Sequence, residues 1–233
     1  MVRGCTDEDV LRADPVPGAR VPGDRGPAVG SDGMDAGVGG TAGYGAAAAE
    51  LAEQYESVTF AEVHRELLQF FPTSPVSVLD VGAGSGRDAA ALAALGHRVV
   101  AAEPVAEFRS IGQRLHAERA IEWVDDALPE LALLRGRRER FDLVLLTAVW
   151  MHLDEPERAA GMPALAALLA DGGRVVLSLR HGPVPPGRRM FPVTAEETVE
   201  LARRSGLAAV HRTHRGDLHG RPGVSWTRLV LAR

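Results

Sequence analysis

Residues 76–205 alternate short apolar runs with stretches of helical periodicity, and this alternation limits the possible folds more than any other feature of the chain. Five such strand–helix units predict a doubly wound parallel sheet of the α/β class, because parallel strands need a crossover helix between them. Phe141–Leu146 is almost wholly apolar, as expected of a central strand covered on both faces. Leu207–His214 and Val224–Ala232 follow without a helix between them, so they predict an antiparallel hairpin at one edge of the sheet.

Apolar spacing and breaker residues give approximate bounds for the other elements. Pro72 ends the second predicted helix, Gly96 ends the third, and Asp154 and Thr194 are the N-cap residues of later helices. The remaining predicted strands are Val76–Val81, His97–Glu103, Ala120–Val124 and Arg174–Leu179. The predicted helices are 46–55, Val58–Phe71, Arg87–Leu95, Val105–His116, 155–170 and 195–205.

The N-terminal segment differs in composition from the rest of the chain. Residues 1–43 are rich in Gly, Pro and Asp and lack apolar periodicity, so a disordered tail is expected there. This segment contains Met34, so the sequence leaves two candidate translation starts, Met1 and Met34. Residues 44–233 are expected to form a single domain, with a helical cap at 44–75 and a Rossmann-like core at 76–233.

Composition narrows the class of protein. The chain has 233 residues, one cysteine (Cys5) and a formal net charge of −5, and no apolar run in its first 50 residues is long enough to cross a bilayer. A disulfide framework, a Cys-rich zinc site and a general nucleic-acid binder are therefore not expected. The lack of a recognisable signal peptide favours the cytoplasm, with no membrane partner.

The basic residues are unusual in type and position. All 26 are arginines, and residues 201–233 hold seven of them against one acid. Solvated surface arginines explain this pattern, and so does an arginine-lined mouth for an anionic substrate.

The strongest local signal is the segment from Val78 to Asp88, VLDVGAGSGRD. A strand leads into a turn whose three glycines, Gly82, Gly84 and Gly86, let the backbone approach a ligand, and a helix follows at once. A dinucleotide site prefers the spacing G-x-G-x-x-G, whereas this loop has G-x-G-x-G with Asp80 two residues ahead. An acid there suits a ligand with positive charge, such as S-adenosylmethionine, and Glu103 at the end of the next strand can accept both ribose hydroxyls.

With these residues the sequence resembles the class I S-adenosylmethionine-dependent methyltransferases, over about Tyr44 to Arg233. The resemblance implies a seven-stranded sheet whose last strand is antiparallel, with helices on both faces. It implies that the glycine loop holds the methionine part and Glu103 the ribose, while Asp125 or Asp126, with Asp126 favoured, contacts the adenine. It places the methyl group beside the end of the Phe141–Leu146 strand. The cofactor-binding residues expected on this basis are Asp80, Gly82, Ala83, Gly84, Gly86, Glu103, Pro104, Asp125, Asp126, Thr147, Ala148 and Tyr55.

The acceptor side gives weaker signals. His152 follows the central strand and is the candidate general base, although a structural role, capping or bonding the helix at Asp154, is the favoured alternative. Tyr55 either shields the cofactor or packs in the core. The expected acceptor contacts are Trp150, Met151, Arg180 and His181. A metal is not expected, because strand alternation places His211 and His214 on opposite faces.

These observations predict a methyltransferase that moves a methyl group from S-adenosylmethionine to O or N of a small metabolite, which could be anionic. The Asp-Pro-Pro-Tyr-like signature of DNA amino-methyltransferases is absent, so DNA is not an expected partner. An RNA or protein methyltransferase and a non-catalytic S-adenosylmethionine-binding regulator are the alternatives, and the glycine spacing argues against a nicotinamide-dependent dehydrogenase.

Overall fold

The computed structural model describes residues 39–41 and 43–233, so most of the expected N-terminal tail lies outside the described residues. The described chain forms a seven-stranded sheet whose strands are β1 (Ser77–Val81), β2 (Arg98–Ala102), β3 (Ile121–Val124), β4 (Phe141–Leu146), β5 (Leu169–His181), β6 (Ala208–Gly216) and β7 (Ser225–Ala232). The strand order is β3-β2-β1-β4-β5-β7-β6. The first five strands pair in parallel, and β7 pairs antiparallel with both β5 and β6. The predicted α/β fold class and the closing hairpin are thereby confirmed.

Seven helices surround the sheet: α1 (Ala48–Glu56), α2 (Phe60–His64), α3 (Arg87–Ala94), α4 (Ala106–Leu115), α5 (Ala132–Gly136), α6 (Glu155–Leu168) and α7 (Ala195–Arg204), as counted over the described residues. The helix predicted over Val58–Phe71 divides into α2 and a 3-10 helix at Arg65–Phe70, where the chain tightens before Pro72. The pattern also missed α5, which at 5 residues is too short to show helical periodicity.

Two of the predicted helix caps are present. The Asp154 side chain accepts a hydrogen bond from the Glu157 backbone N–H at 2.9 Å, and the Glu157 side chain accepts one from the Asp154 backbone N–H at 2.8 Å. The Thr194 hydroxyl accepts from the Glu197 N–H at 3.1 Å. Each cap satisfies backbone donors that the first helical turn leaves open.

The sheet is covered on both faces, as a parallel sheet requires. Alternate residues of β1 divide between the two layers: Leu79 packs with Trp150 and Met162 on one face, and Val78 packs with Leu67 and Leu92 on the other. Because both faces are closed, the carboxyl edge of the strands is where a ligand can enter, next to the point where the strand order reverses between β1 and β4. Among the described residues, no helix has the length and apolar character that a membrane crossing demands.

Close packing of α4 against the sheet leads to a stability prediction. A Cβ added at Gly112 would lie 2.3 Å from Trp123 Cη2 and 2.8 Å from the Ser85 carbonyl oxygen. Gly112→Ala is therefore expected to lower the free energy of unfolding by about 1–3 kcal/mol, since the ring and backbone must shift. Gly136→Ala is the control, because nothing lies within 4 Å of its new Cβ, and a neutral or slightly stabilising effect is expected. Urea denaturation checks both; equal midpoints for the two variants would contradict the packing account.

Candidate cofactor and acceptor site

A cavity of about 290 Å³ opens at the carboxyl ends of β1, β2, β4 and β5. One wall is the loop after β1, and the N-terminal residues cover it from outside, with Gly40, Tyr44 and Tyr55 among the lining residues. The cofactor residues predicted from the sequence that line it are Asp80, Gly82, Ala83, Gly84, Glu103, Pro104, Thr147, Ala148 and Tyr55. The topology thus brings most of the predicted set to one place.

The glycine loop has the left-handed backbone that its sequence suggested. Gly82, Gly84 and Gly86 have φ values of +67°, +57° and +89°. Gly84 lies under the Tyr55 ring, to which an added Cβ would come within 3.4 Å. Gly86 is not among the lining residues; a side chain there would collide with Trp123 at 2.8 Å, so a glycine permits close packing behind the loop, and its part in cofactor binding stays a prediction.

Asp80 is a buried carboxylate facing the cavity. Asp80 is 2% exposed, and its Oδ2 atom has no hydrogen-bond partner among the described residues. Burial raises the pKa of Asp80 well above its usual range, the nearby Asp88 raises it further, and Arg87 opposes both. A buried acceptor without a partner fits a cationic or hydrogen-donating ligand group, because such a group would stabilise the ionised form.

A polar network behind Asp80 was not predicted from the sequence. Asp88, in the first turn of α3, binds His64 Nε2 and Arg87 Nε at 2.8 Å each, and accepts from the Thr147 hydroxyl at 2.7 Å. Burial disfavours its charge, but His64 and Arg87 outweigh burial and hold the pKa of Asp88 below its usual range. The network fixes Thr147 at the end of β4 against α3.

Glu103 is positioned by the backbone on both of its oxygens. Its Oε2 accepts from the Gly84 N–H and its Oε1 from the Val105 N–H, both at 2.8 Å. Burial raises the pKa of Glu103, although these two bonds favour the carboxylate. Each oxygen keeps a second acceptor position, so a pair of ligand hydroxyls can still be bound.

Neither acid predicted for the adenine lines the cavity. Both oxygens of Asp126 accept backbone N–H groups, from Ala127 at 3.0 Å and Leu134 at 2.9 Å, so this side chain caps α5. Asp125 instead forms an ion pair with Arg109 at 2.7 Å. Ala127 and Leu128 occupy the corresponding cavity wall.

His152 lies in the cavity wall with both ring nitrogens bonded. Its Nδ1 is 2.7 Å from the Arg189 carbonyl oxygen and its Nε2 is 3.0 Å from the Tyr44 hydroxyl. A carbonyl only accepts, so the proton is on Nδ1, and Nε2 accepts from Tyr44. Burial lowers the pKa of His152, and the charges of Arg188, Arg189 and Arg180 also lower it, which favours the neutral ring.

The strand end beside His152 is held in a strained backbone. Ala148 has φ +62°, which is uncommon for a residue with a side chain, and its N–H donates to the Ser178 hydroxyl at 2.8 Å. Such outliers persist where the surrounding structure enforces them and are frequent at functional sites. Thr147 and Ala148 both line the cavity there.

Two of the four predicted acceptor residues line the cavity, Met151 and Arg180. Trp150 does not; it is fully buried in the core, because successive residues of the 3-10 turn Trp150–His152 point in different directions. His181 does not either, since strand alternation turns it away from Arg180 to bond the Thr227 hydroxyl at 2.9 Å. These two residues are therefore corrected to structural positions.

One wall of the cavity was missed at the sequence level. The loop between β6 and β7 and the start of β7 contribute Asp217, Leu218, His219, Arg221 and Trp226. The concentration of arginines beyond residue 201 was the signal that could have located it. Within the described part of the chain, no three His, Cys, Asp or Glu side chains are grouped so that they could hold a metal ion.

Comparisons with known proteins agree with this geometry. A family model described as a methyltransferase domain matches residues 51–212. A ubiquinone biosynthesis O-methyltransferase of Cereibacter sphaeroides is 30% identical over 186 residues, covering 72% of this chain and 73% of that protein.

Solved structures share the fold. The magnesium protoporphyrin IX methyltransferase of Synechocystis, with S-adenosylmethionine bound, has a TM-score of 0.59 at 18% identity and covers 79% of this chain and 80% of that one. The 1,6-didemethyltoxoflavin-N1-methyltransferase of Burkholderia thailandensis, with S-adenosylhomocysteine bound, has a TM-score of 0.56 at 23% identity and covers 80% of this chain and 88% of that one.

The strand order, the glycine loop with its two buried carboxylates, and the matched domain model all point the same way. This chain belongs to the class I methyltransferases that use S-adenosylmethionine as the methyl donor.

Proposed function

We propose that this enzyme transfers the methyl group to an oxygen atom of a small bound metabolite. The metabolite would lie between His152 and the wall of the cavity that Arg180 of β5, Trp226 of β7 and the loop before β7 form, here called the β5–β7 wall. The observation that carries the proposal is the position of His152 in the cavity wall, with its Nε2 3.0 Å from the Tyr44 hydroxyl. A base is needed for an acceptor that is protonated at working pH, as hydroxyl acceptors are. The O-methyltransferase activity named for the Cereibacter relative supports the choice of oxygen.

The residues of this chain suit the cofactor. Asp80 would take its cationic amino group, because its buried Oδ2 atom lacks a partner in the described chain. Glu103 would take the ribose hydroxyls, and Gly82 and Gly84 let the backbone lie against the methionine part. When bound, S-adenosylmethionine supplies a methyl group on a good sulfonium leaving group, so transfer is a direct displacement.

The protein's own contribution is alignment and proton removal. Positioning an acceptor against a bound partner can supply about 7–11 kcal/mol of the barrier. The acceptor hydroxyl would donate to the Tyr44 oxygen while the Tyr44 proton moves to His152 Nε2. The Arg189 carbonyl, which accepts from Nδ1–H, holds the ring in the orientation that this proton transfer needs. Gly40 and Tyr44, which line the cavity, would limit the entry of water when the ligands are bound.

The proposed function is tested with methyl-labelled S-adenosylmethionine and matched acceptors, catechol for oxygen and aniline for nitrogen. The expected result is label in the methyl ether of a hydroxyl acceptor, with little in the amine product. Label in RNA or protein fractions would favour those alternatives instead. Cofactor binding without transfer to any acceptor would favour a regulatory protein.

The cytoplasmic location and the single-domain boundary at residue 44 stay predictions from the sequence.

A further inference from the structure

The β5–β7 wall of the cavity contains a buried cation without a carboxylate partner. Arg180 is 8% exposed and lines the cavity. Its Nε has no hydrogen-bond partner among the described residues, and its Nη1 has only a weak contact with Met190 Sδ at 4.0 Å. Burying an unpaired charge is costly, so a folded chain retains one where a ligand supplies the missing charge.

Strand register places Arg180 in a row of cavity residues. Trp226 of β7 lies directly opposite Arg180 of β5, and Arg215 of β6 lies opposite Trp226 on its other side. Residues paired in this way point to the same face of a sheet, and all three line the cavity. The row is therefore an indole between two guanidinium groups.

The loop after β6 adds a third cation and fixes the indole. Asp217 accepts from Arg221 Nε at 2.9 Å and from Trp226 Nε1 at 2.9 Å. Arg221 also lines the cavity. Burial is the main cause that lowers the pKa of the Arg180 guanidinium, and the nearby charge of Arg221 lowers it further. Asp217 is hydrogen-bonded to Arg221 and Trp226, so its charge opposes the lowering of the Arg180 pKa only in part and it makes no hydrogen bond to Arg180 among the described residues.

The two ends of the cavity consequently differ in charge. The β1–β2 end has Asp80 and Glu103, which suit the cationic cofactor, whereas the β5–β7 end has three arginines. Arg221 is paired with Asp217 and Arg215 with Glu66 at 3.8 Å, so Arg180 is the one of the three that has no acid bonded to it in the described chain. Arg180 lies on β5, the neighbour of β4, and the expected methyl position is at the carboxyl end of β4. The guanidinium is therefore on the acceptor side of the cavity, away from Asp80 and Glu103 on the β1–β2 side.

We propose that Arg180, with Arg221 near it, binds a carboxylate on the methyl acceptor whose planar apolar body lies against Trp226. The inference rests on the proposed function, and it narrows the acceptor to aromatic or similarly planar acids. The carboxylate is a binding group and the hydroxyl facing His152 is the nucleophile. A guanidinium pairs with a carboxylate through two parallel hydrogen bonds, which fixes the orientation of the ring.

The experiment titrates the full chain, saturated with S-adenosylhomocysteine, with benzoate and with its uncharged analogue benzamide, by calorimetry. Wild-type protein is expected to bind benzoate at least about tenfold more tightly than benzamide. Arg180→Gln is expected to abolish this preference, while Arg180→Lys keeps part of it because the charge remains. Equal or undetectable binding of the two probes by the wild type would overturn the inference, as would a preference that survives in Arg180→Gln.

Arg174→Gln is the matched control. Arg174 lies on the same strand at the opposite edge of the sheet, where it is exposed and donates to the Phe70 carbonyl at 3.1 Å. It is expected to keep the wild-type preference, and a loss there equal to that in Arg180→Gln would count against a specific site. Affinity for S-adenosylhomocysteine, measured in every variant, shows that the fold is intact. Methyl transfer to catechol separates the two proposals, because it can persist when the benzoate preference fails.

Discussion

Replacing His152 with glutamine is expected to lower kcat by about 10²- to 10⁴-fold, the range that loss of a general base produces. The affinity for S-adenosylhomocysteine should change little, because His152 lies on the acceptor side of the cavity. Tyr44→Phe is expected to lower kcat as well, since Tyr44 is the hydrogen-bond partner of His152 Nε2. Steady-state kinetics with a methyl-labelled donor gives the measurement.

The pH profile distinguishes a base from a structural histidine. Protonation removes the base, so kcat falls as pH decreases through the pKa of His152. Burial and the neighbouring arginines lower that pKa from 6.5, so the acidic limb of the wild-type profile should lie below pH 6.5 and should be absent in the glutamine variant. His181→Gln is the control, since His181 bonds Thr227 outside the cavity. A normal kcat in the His152 variant would remove this residue from the mechanism.

Asp80→Asn is expected to weaken the binding of S-adenosylmethionine by about 10- to 100-fold, because a hydrogen bond to a charged group contributes about 1.5–3 kcal/mol. The change keeps the shape of the side chain and removes its charge. A larger loss of affinity for S-adenosylmethionine than for S-adenosylhomocysteine would show that Asp80 interacts with the sulfonium charge. An equal loss of affinity for the two would show that Asp80 interacts with the amino group, which both ligands have. Calorimetric titration gives both affinities.

The same carboxylate makes cofactor binding depend on pH. Burial and Asp88 raise the pKa of Asp80 in the free protein, and a bound cation favours the ionised form. Affinity should therefore increase with pH until Asp80 is ionised without ligand, and then level off. Asp142→Asn is the control, because Asp142 accepts from the Ser77 N–H at 3.0 Å, far from the carboxyl edge of the sheet. A pH slope that persists in Asp80→Asn would assign the dependence to another group.

The features that the sequence predicted well are those with a local physical cause. Strands β1 to β5 follow from runs of apolar residues, and the loop after β1 follows from glycines at positions where the backbone needs a positive φ. Asp80 and Glu103 were found because each stands at a fixed place relative to a strand end. The caps at Asp154 and Thr194 depend on side chains only three residues away.

The errors concern the direction of side chains and contacts between distant segments. Trp150 and Met151 are neighbours, yet only one faces the cavity, and apolar character alone cannot decide which. His181 was assigned with Arg180 although alternation along a strand separates them. The choice of Asp126 for the adenine did not anticipate α5, the short helix that it caps.

Contacts between distant segments hid the cavity wall that the loop between β6 and β7 forms. Asp217 and Arg221 are only four residues apart, but they reach the cavity because β7 pairs with β5, and sequence spacing gives no sign of that pairing. The support of Thr147 by Asp88 likewise joins residues 59 positions apart. Such contacts become visible only when the sheet has brought the segments together.

A crystal structure of the full chain with S-adenosylhomocysteine tests the central assignment most directly. We expect the amino group at Asp80, the ribose hydroxyls at Glu103, and the sulfur directed towards Thr147 and Ala148 with Tyr44 and His152 beyond it. A ligand that leaves both carboxylates without contact, or that binds outside this cavity, would contradict the assignment.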